Sequence, residues 1–181
     1  GLVVGVGFGA FQHDWSVFFR SYLLNYAYVL SLVLGALFFV ILQHLTRAGW
    51  SVAVRRLAEN VVAAMPLMII AFLPLLIPVL AGMEGVYEWS SAHAVEHDET
   101  GLLAHKQAYL NVPFFIVRCA IYFVIWGLLA RFFVKESIAQ DADGDIRHTE
   151  RMQWWSAPGM LLYALTVTFF AVDALMSLNP H

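Results

Sequence analysis

A chain of 181 residues that is 61% hydrophobic and 13% charged, with a mean hydropathy of +0.71, lacks the polar surface that a soluble domain of its length needs. Its formal charge of −3, without any basic stripe interleaved with aromatics, argues against a nucleic-acid partner. The single cysteine, Cys119, excludes internal disulfides, thiolate-held iron–sulfur clusters and a Cys-x-x-Cys-His haem attachment.

The first ten residues are apolar but too few to cross a bilayer, and they read as the end of a preceding helix. With an abrupt finish at Asn179-Pro180-His181, the chain reads as a fragment of a longer protein. Gly5, Gly7 and Gly9 lack the spacing of a dinucleotide fingerprint, and small residues that let helices approach explain them better. A span needs about 20 mostly apolar residues, and four stretches qualify: 22–45, 61–82, 112–134 and 158–178. The expected fold is therefore all-α, a polytopic transmembrane helix bundle forming one domain over 1–181. Pro66, Pro74 and Pro78 should kink the second span and leave 75–80 less regular, because each removes a helical donor. Pro113 and Pro158 are expected at the starts of their helices, where a missing N–H costs little.

Orientation follows from the placement of Lys and Arg. The connection 46–60 carries Arg47, Arg55 and Arg56, and the connection 135–157 carries Lys135, Arg147 and Arg151. Between them, the connection 83–111 sets Lys106 against Glu84, Glu88, Glu96, Asp98 and Glu99. The two basic connections are expected in the cytoplasm and the acidic one on the periplasmic or external side. Trp15, Trp50, Trp89, Trp154 and Trp155 fall near span ends, where amphipathic rings settle.

Two ionisable residues lie inside spans, Arg118 and Asp173, both toward the outer ends of their helices. Adjacent antiparallel helices would bring them to nearly the same depth. Pairing would offset much of the roughly 2.5–3.5 kcal/mol that a charge costs at a helix centre. Helix glue is the plainer reading of such a pair, and a place in a proton or quinol path is the sharper one. His93-Ala94-Val95-Glu96-His97 matches a zinc-hydrolase pattern, but a third ligand is wanting in so short a loop, and a solvated acidic loop is the better reading. Asp141, Asp143 and Asp145 resemble a calcium loop, yet the glycine stands at 144 rather than at the sixth position, and an exposed turn fits better. No metal site is expected. No two histidines share a depth in two spans, which argues against bis-His haem, and no Ser/His/Asp constellation suggests a catalytic residue.

Three longer phrases carry a resemblance. They are Leu37 to Val40 leading into Gln43-His44-Leu45-Thr46-Arg47-Ala48-Gly49-Trp50-Ser51-Val52, then Leu103 to Phe115, then Asp173 to His181. From Trp15 onward the chain resembles the quinone-binding subunit 2 (the F subunit) of bacterial alternative complex III, a quinol:cytochrome c oxidoreductase. That family belongs with the NrfD-like (polysulfide reductase membrane subunit-like) integral proteins. The resemblance implies a bacterial inner-membrane location and partners comprising multihaem cytochrome c subunits, an iron–sulfur subunit and a paralogous NrfD-like membrane subunit, all set in lipid. It implies no cofactor bound directly, with haem c and iron–sulfur clusters in the partners and quinone or quinol as the candidate small molecule. The expected role is a non-redox subunit that supports quinol oxidation and proton conduction. The residues put forward for it are Arg118, Asp173, Glu84, Tyr109 and His181 toward the outer side, with His44 at the cytoplasmic end. The competing readings are a purely structural scaffold and an independent membrane transporter.

Overall fold

The computed structural model describes residues 15–49, 52–80 and 111–174. These are 93% helical and contain no strand. Among the described residues five helices follow in order: α1 (Trp15–Leu45), α2 (Val52–Val62), α3 (Met65–Leu80), α4 (Val112–Asp143) and α5 (Ile146–Ala174). Among the described residues, four helices are long and apolar enough to cross a membrane, with α2 and α3 counted as one. The chain is thus an all-α, multi-pass membrane protein.

Burial shows how these helices pack. On α1, Phe19, Leu23, Tyr26, Leu30, Val33, Leu37, Val40 and His44 are buried in steps that alternate four and three, and buried Leu34, Ile41 and Gln43 widen the stripe toward the end of the helix. On α5 Met152, Ser156, Gly159, Tyr163, Thr166, Phe170 and Asp173 are buried on the same rhythm, with Ala174 beside the last. A seam with a period of 3.5 keeps one stripe of each helix against its neighbours. The outward faces are apolar too: Leu67, Ile70, Leu73, Ile77 and Leu80 on α3 are all more than half exposed. In water such a stripe would be a liability, whereas in lipid it is the solvent-facing side.

The helix ends explain the connections. After α1 the amide of Ala48 donates to the Gln43 carbonyl at 3.0 Å and that of Arg47 to the His44 carbonyl at 3.3 Å. Arg47 takes the left-handed conformation, with φ of 52°. This is a Schellman cap in which an arginine occupies the position that usually goes to glycine. Between α4 and α5 the cap is glycine, with Gly144 at φ 67° and its amide donating to the Gln140 carbonyl at 2.8 Å. Asp145 then caps α5 through its Oδ1, which accepts from the Arg147 amide at 2.9 Å.

Several expectations are corrected here. Residues 46–60 are not simply a loop, because they contain most of α2. Residues 135–157 are helical on both sides of the turn at Gly144 and Asp145, so the polar segment is a helical hairpin. A window of hydropathy finds where lipid ends, not where a helix does. The second span breaks at Ala63–Ala64 rather than loosening over 75–80. Pro66 has no N–H for the Val62 carbonyl, and the Ala64 amide shortens its bond to the Val61 carbonyl, at 3.0 Å. Pro74 and Pro78 lie within continuous helix. Pro158 is not at a helix start, since α5 begins at Ile146 and runs through it. Neighbouring Gly159 lets α5 approach α4 closely, and a Cβ built there would lie 3.2 Å from the Leu129 Cδ2.

By contact, the described residues form two units. One takes in 15–28, 71–80, 111–120 and 170–174, and the other takes in 29–49, 52–70 and 121–169.

Candidate functional site: buried polar clusters

In the first unit, Asn111 caps α4, its Oδ1 accepting from the Phe114 amide at 2.9 Å. About two turns beyond Asn111, Arg118 Nε donates to Asp173 Oδ2 at 2.8 Å, joining α4 to α5. The Asp173 side chain is 0% exposed and that of Arg118 is 8% exposed, so the pair faces neighbouring helices and not lipid. The Arg118 guanidinium also lies over the Phe114 ring, 4.4 Å from its centroid. Arg118 and Asp173 thus meet across α4 and α5, as their similar depths in the sequence lead one to expect. In the same unit the Tyr22 hydroxyl donates to the Ala71 carbonyl at 2.7 Å, beside the Ile70 carbonyl that Pro74 deprives of a donor.

In the second unit, His44 is 2% exposed in the last turn of α1 and stacks on Phe133, with ring centroids 5.6 Å apart. Its Nε2 has no hydrogen-bond partner. Three residues of α2 and two of α4 make a charged cluster in this unit. Glu59 Oε2 accepts from Ser137 Oγ at 2.7 Å and from Arg56 Nη1 at 3.1 Å. Arg56 Nη1 also donates to Ser137 Oγ at 2.9 Å, and Nη2 pairs with Asp141. Arg55 Nε lies 3.4 Å from Glu59 Oε1, an ionic contact that leaves both atoms without a hydrogen bond. Elsewhere in this unit Trp126 Nε1 donates to Thr166 Oγ1 at 2.9 Å and the Tyr163 hydroxyl to the Leu34 carbonyl at 2.9 Å. These are the polar links expected between helices whose apolar faces gain nothing by leaving lipid.

The hairpin beyond the apolar spans holds a third group. His148 Nδ1 lies 2.6 Å from Glu136 Oε2 and its Nε2 3.1 Å from Asp143 Oδ2. Hydrogen bonds to Glu136 first, then to Asp143, hold the imidazole pKa above its ordinary value. Asp143 is shifted down, chiefly by the Asp145 amide that donates to its Oδ1 at 2.9 Å, and then by His148. The aspartates of the calcium-like phrase thus serve caps and ion pairs: Asp141 meets Arg56, Asp143 meets His148, and Asp145 caps α5 and pairs with Arg147 at 3.0 Å.

Of the candidates named from the sequence, the structure brings Arg118 and Asp173 together and buries His44. Glu84, Tyr109 and His181, with the His93–His97 phrase and the glycines at 5, 7 and 9, lie outside the described residues. Glu59 was missed. The signal was there, because Glu59 follows Arg55 by four residues and Arg56 by three, which places all three on one helical face. Reading 46–60 as a loop concealed it. Among the described residues no three His, Cys, Asp or Glu side chains converge as metal ligands do.

Comparison with protein families and with curated proteins gives no match.

Proposed function

We propose that this chain is an integral, NrfD-like membrane subunit of a bacterial quinol:cytochrome c oxidoreductase of the alternative complex III type. In this reading it lies in the inner membrane, with the basic connections 46–60 and 135–157 in the cytoplasm and the acidic 83–111 outside. The phrases around His44, Leu103 to Phe115 and Asp173 to His181 support the reading. The observation that carries the site is the Arg118–Asp173 pair, a carboxylate and a guanidinium held away from lipid between membrane helices. Oxidation of a quinol releases protons and electrons together. The chain offers proton-holding groups in Asp173, His44 and Glu59, along with Glu84, Tyr109 and His181 by sequence. Electrons would leave through multihaem cytochrome c and iron–sulfur partners, beside the paralogous membrane subunit, with quinone or quinol as the small molecule.

The test is purification through a tag on this chain, followed by haem and iron analysis and a quinol:cytochrome c assay. The expected result is co-purifying c-type haem, iron–sulfur and quinol-oxidising activity. An intact but colourless and inactive preparation refutes the assignment and favours a transporter. A second reading, a pure scaffold, draws on the same pair, because a carboxylate already matched to an arginine serves well as glue. Asp173→Asn separates the two: an assembled complex that keeps its turnover is a scaffold's behaviour, and an assembled complex that loses it is not.

A further inference from the structure

Five of the described arginines, Arg55, Arg56, Arg118, Arg147 and Arg151, meet a carboxylate. Arg131 and Lys135 meet none among the described residues, although both are exposed and stand one turn apart on α4. The α4 carboxylates that follow them are engaged elsewhere, Glu136 with His148 and Arg151 and Asp141 with Arg56, and Glu59 of α2 is engaged with Arg55, Arg56 and Ser137. The two cations belong to a stripe on α4, with Gly127, Val134 and Ile138, that forms one wall of a cleft of about 520 Å³. The opposite wall is the break between α2 and α3, with Val62, Ala63 and Pro66. There the helical ladder is incomplete, because Pro66 has no N–H and the Leu67 amide is spent on the Ala64 carbonyl at 3.0 Å. The volume falls in the range of small-molecule sites, and apart from the two cations every lining side chain is apolar.

The height of this cleft is marked by neighbouring aromatics. The hairpin turn at Gly144 and Asp145 sets α5 antiparallel to α4, and Phe132 touches Trp155, with ring centroids 6.3 Å apart. Trp154 and Trp155 are 71% and 51% exposed, as rings at a headgroup boundary are. Arg131 and Lys135 stand at that level, where α4's apolar stretch ends. Gly127 lies about 12 Å further along the helix than Lys135, at 1.5 Å per residue, into the apolar stretch. The cleft therefore has a cationic mouth at the interface and an apolar floor inside the hydrocarbon layer.

We infer that this cleft binds one anionic phospholipid, with its phosphate on Arg131 and Lys135 and an acyl chain along Gly127 and Val134 against the Pro66 break. A soluble anion would not use the apolar floor, and an uncharged chain would not use the mouth. The bilayer supplies both parts in one molecule.

The test uses the protein purified from its own membrane in detergent, with whatever partners it retains. Native mass spectrometry measures retention of added phosphatidylglycerol against phosphatidylcholine. Phosphatidylglycerol should be retained preferentially, and the Arg131→Gln, Lys135→Gln double variant should bind it about 30-fold more weakly, at about 1 kcal/mol per cation. The exchanged pair Arg131→Lys, Lys135→Arg should retain it. Gly127→Leu, checked for unchanged thermal stability, should lose it by filling the floor. A phosphatidylglycerol with a mid-chain diazirine should label residues around Gly127 and Val134. Equal retention of the two lipids, displacement by millimolar inorganic phosphate alone, or cross-linking to another polypeptide seated over the cleft would each overturn the inference.

Discussion

Removing one member of the Arg118–Asp173 pair should cost far more than removing both. At 2.8 Å the two charges attract by about 6 kcal/mol for an effective dielectric near 20. Desolvation offsets much of this, so the pair's net worth against two leucines is small. Asp173→Leu, however, leaves the guanidinium buried with the Phe114 ring but without its carboxylate. Arg118→Leu leaves a fully enclosed carboxylate without its cation. Each single change should destabilise by about 3–5 kcal/mol. The double Arg118→Leu, Asp173→Leu variant should cost well under the sum, with a coupling of at least about 2 kcal/mol. Asp173→Asn keeps an acceptor oxygen and should fall between wild type and Asp173→Leu. The assay is reversible unfolding in mixed micelles by denaturing-detergent titration, followed by circular dichroism across the four proteins of the cycle. Single changes below about 1 kcal/mol that add within about 0.5 kcal/mol would show the two side chains to be uncoupled and refute the reasoning.

Two further outcomes follow from the second unit and its hairpin. Thr166→Val keeps the shape but leaves the buried Trp126 indole N–H without its acceptor. Interhelical hydrogen bonds in membranes average about 0.6 kcal/mol with a maximum near 1.7. The same unfolding assay should therefore show a loss within that range, and a neutral result would mean that the bond is not formed. At the hairpin, His148 has a folded pKa above its unfolded one, so its stabilisation is complete below about pH 6.5 and is lost as pH rises through the folded value. Amide exchange near Gly144 should speed up from mildly acidic to alkaline pH beyond the intrinsic rate change, and His148→Gln should abolish that extra dependence. Persistence of the dependence in His148→Gln would place its origin elsewhere.

Much about this protein was settled by the residues alone. Apolar length demanded four spans, because an unpaired backbone cannot sit in hydrocarbon, and two lone charges at similar depth demanded each other. The outward faces of the helices could not be told from the inward ones. Leu67 and Met68 read alike in sequence, yet one faces lipid and the other packs in the seam, because lipid and protein interior are equally apolar. Nor could hydropathy find helix ends outside the bilayer. Backbone hydrogen bonding continues wherever caps and charge pairs support it, as at Gly144 and Asp145. That is why Glu59, inside a stretch taken for a loop, drew no notice until α2 laid it against Ser137. The tertiary structure decided which charges are satisfied within the protein and which, like Arg131 and Lys135, have no carboxylate beside them among the described residues. That partition depends on three-dimensional proximity between α2, α4 and α5, which no spacing along one helix can supply.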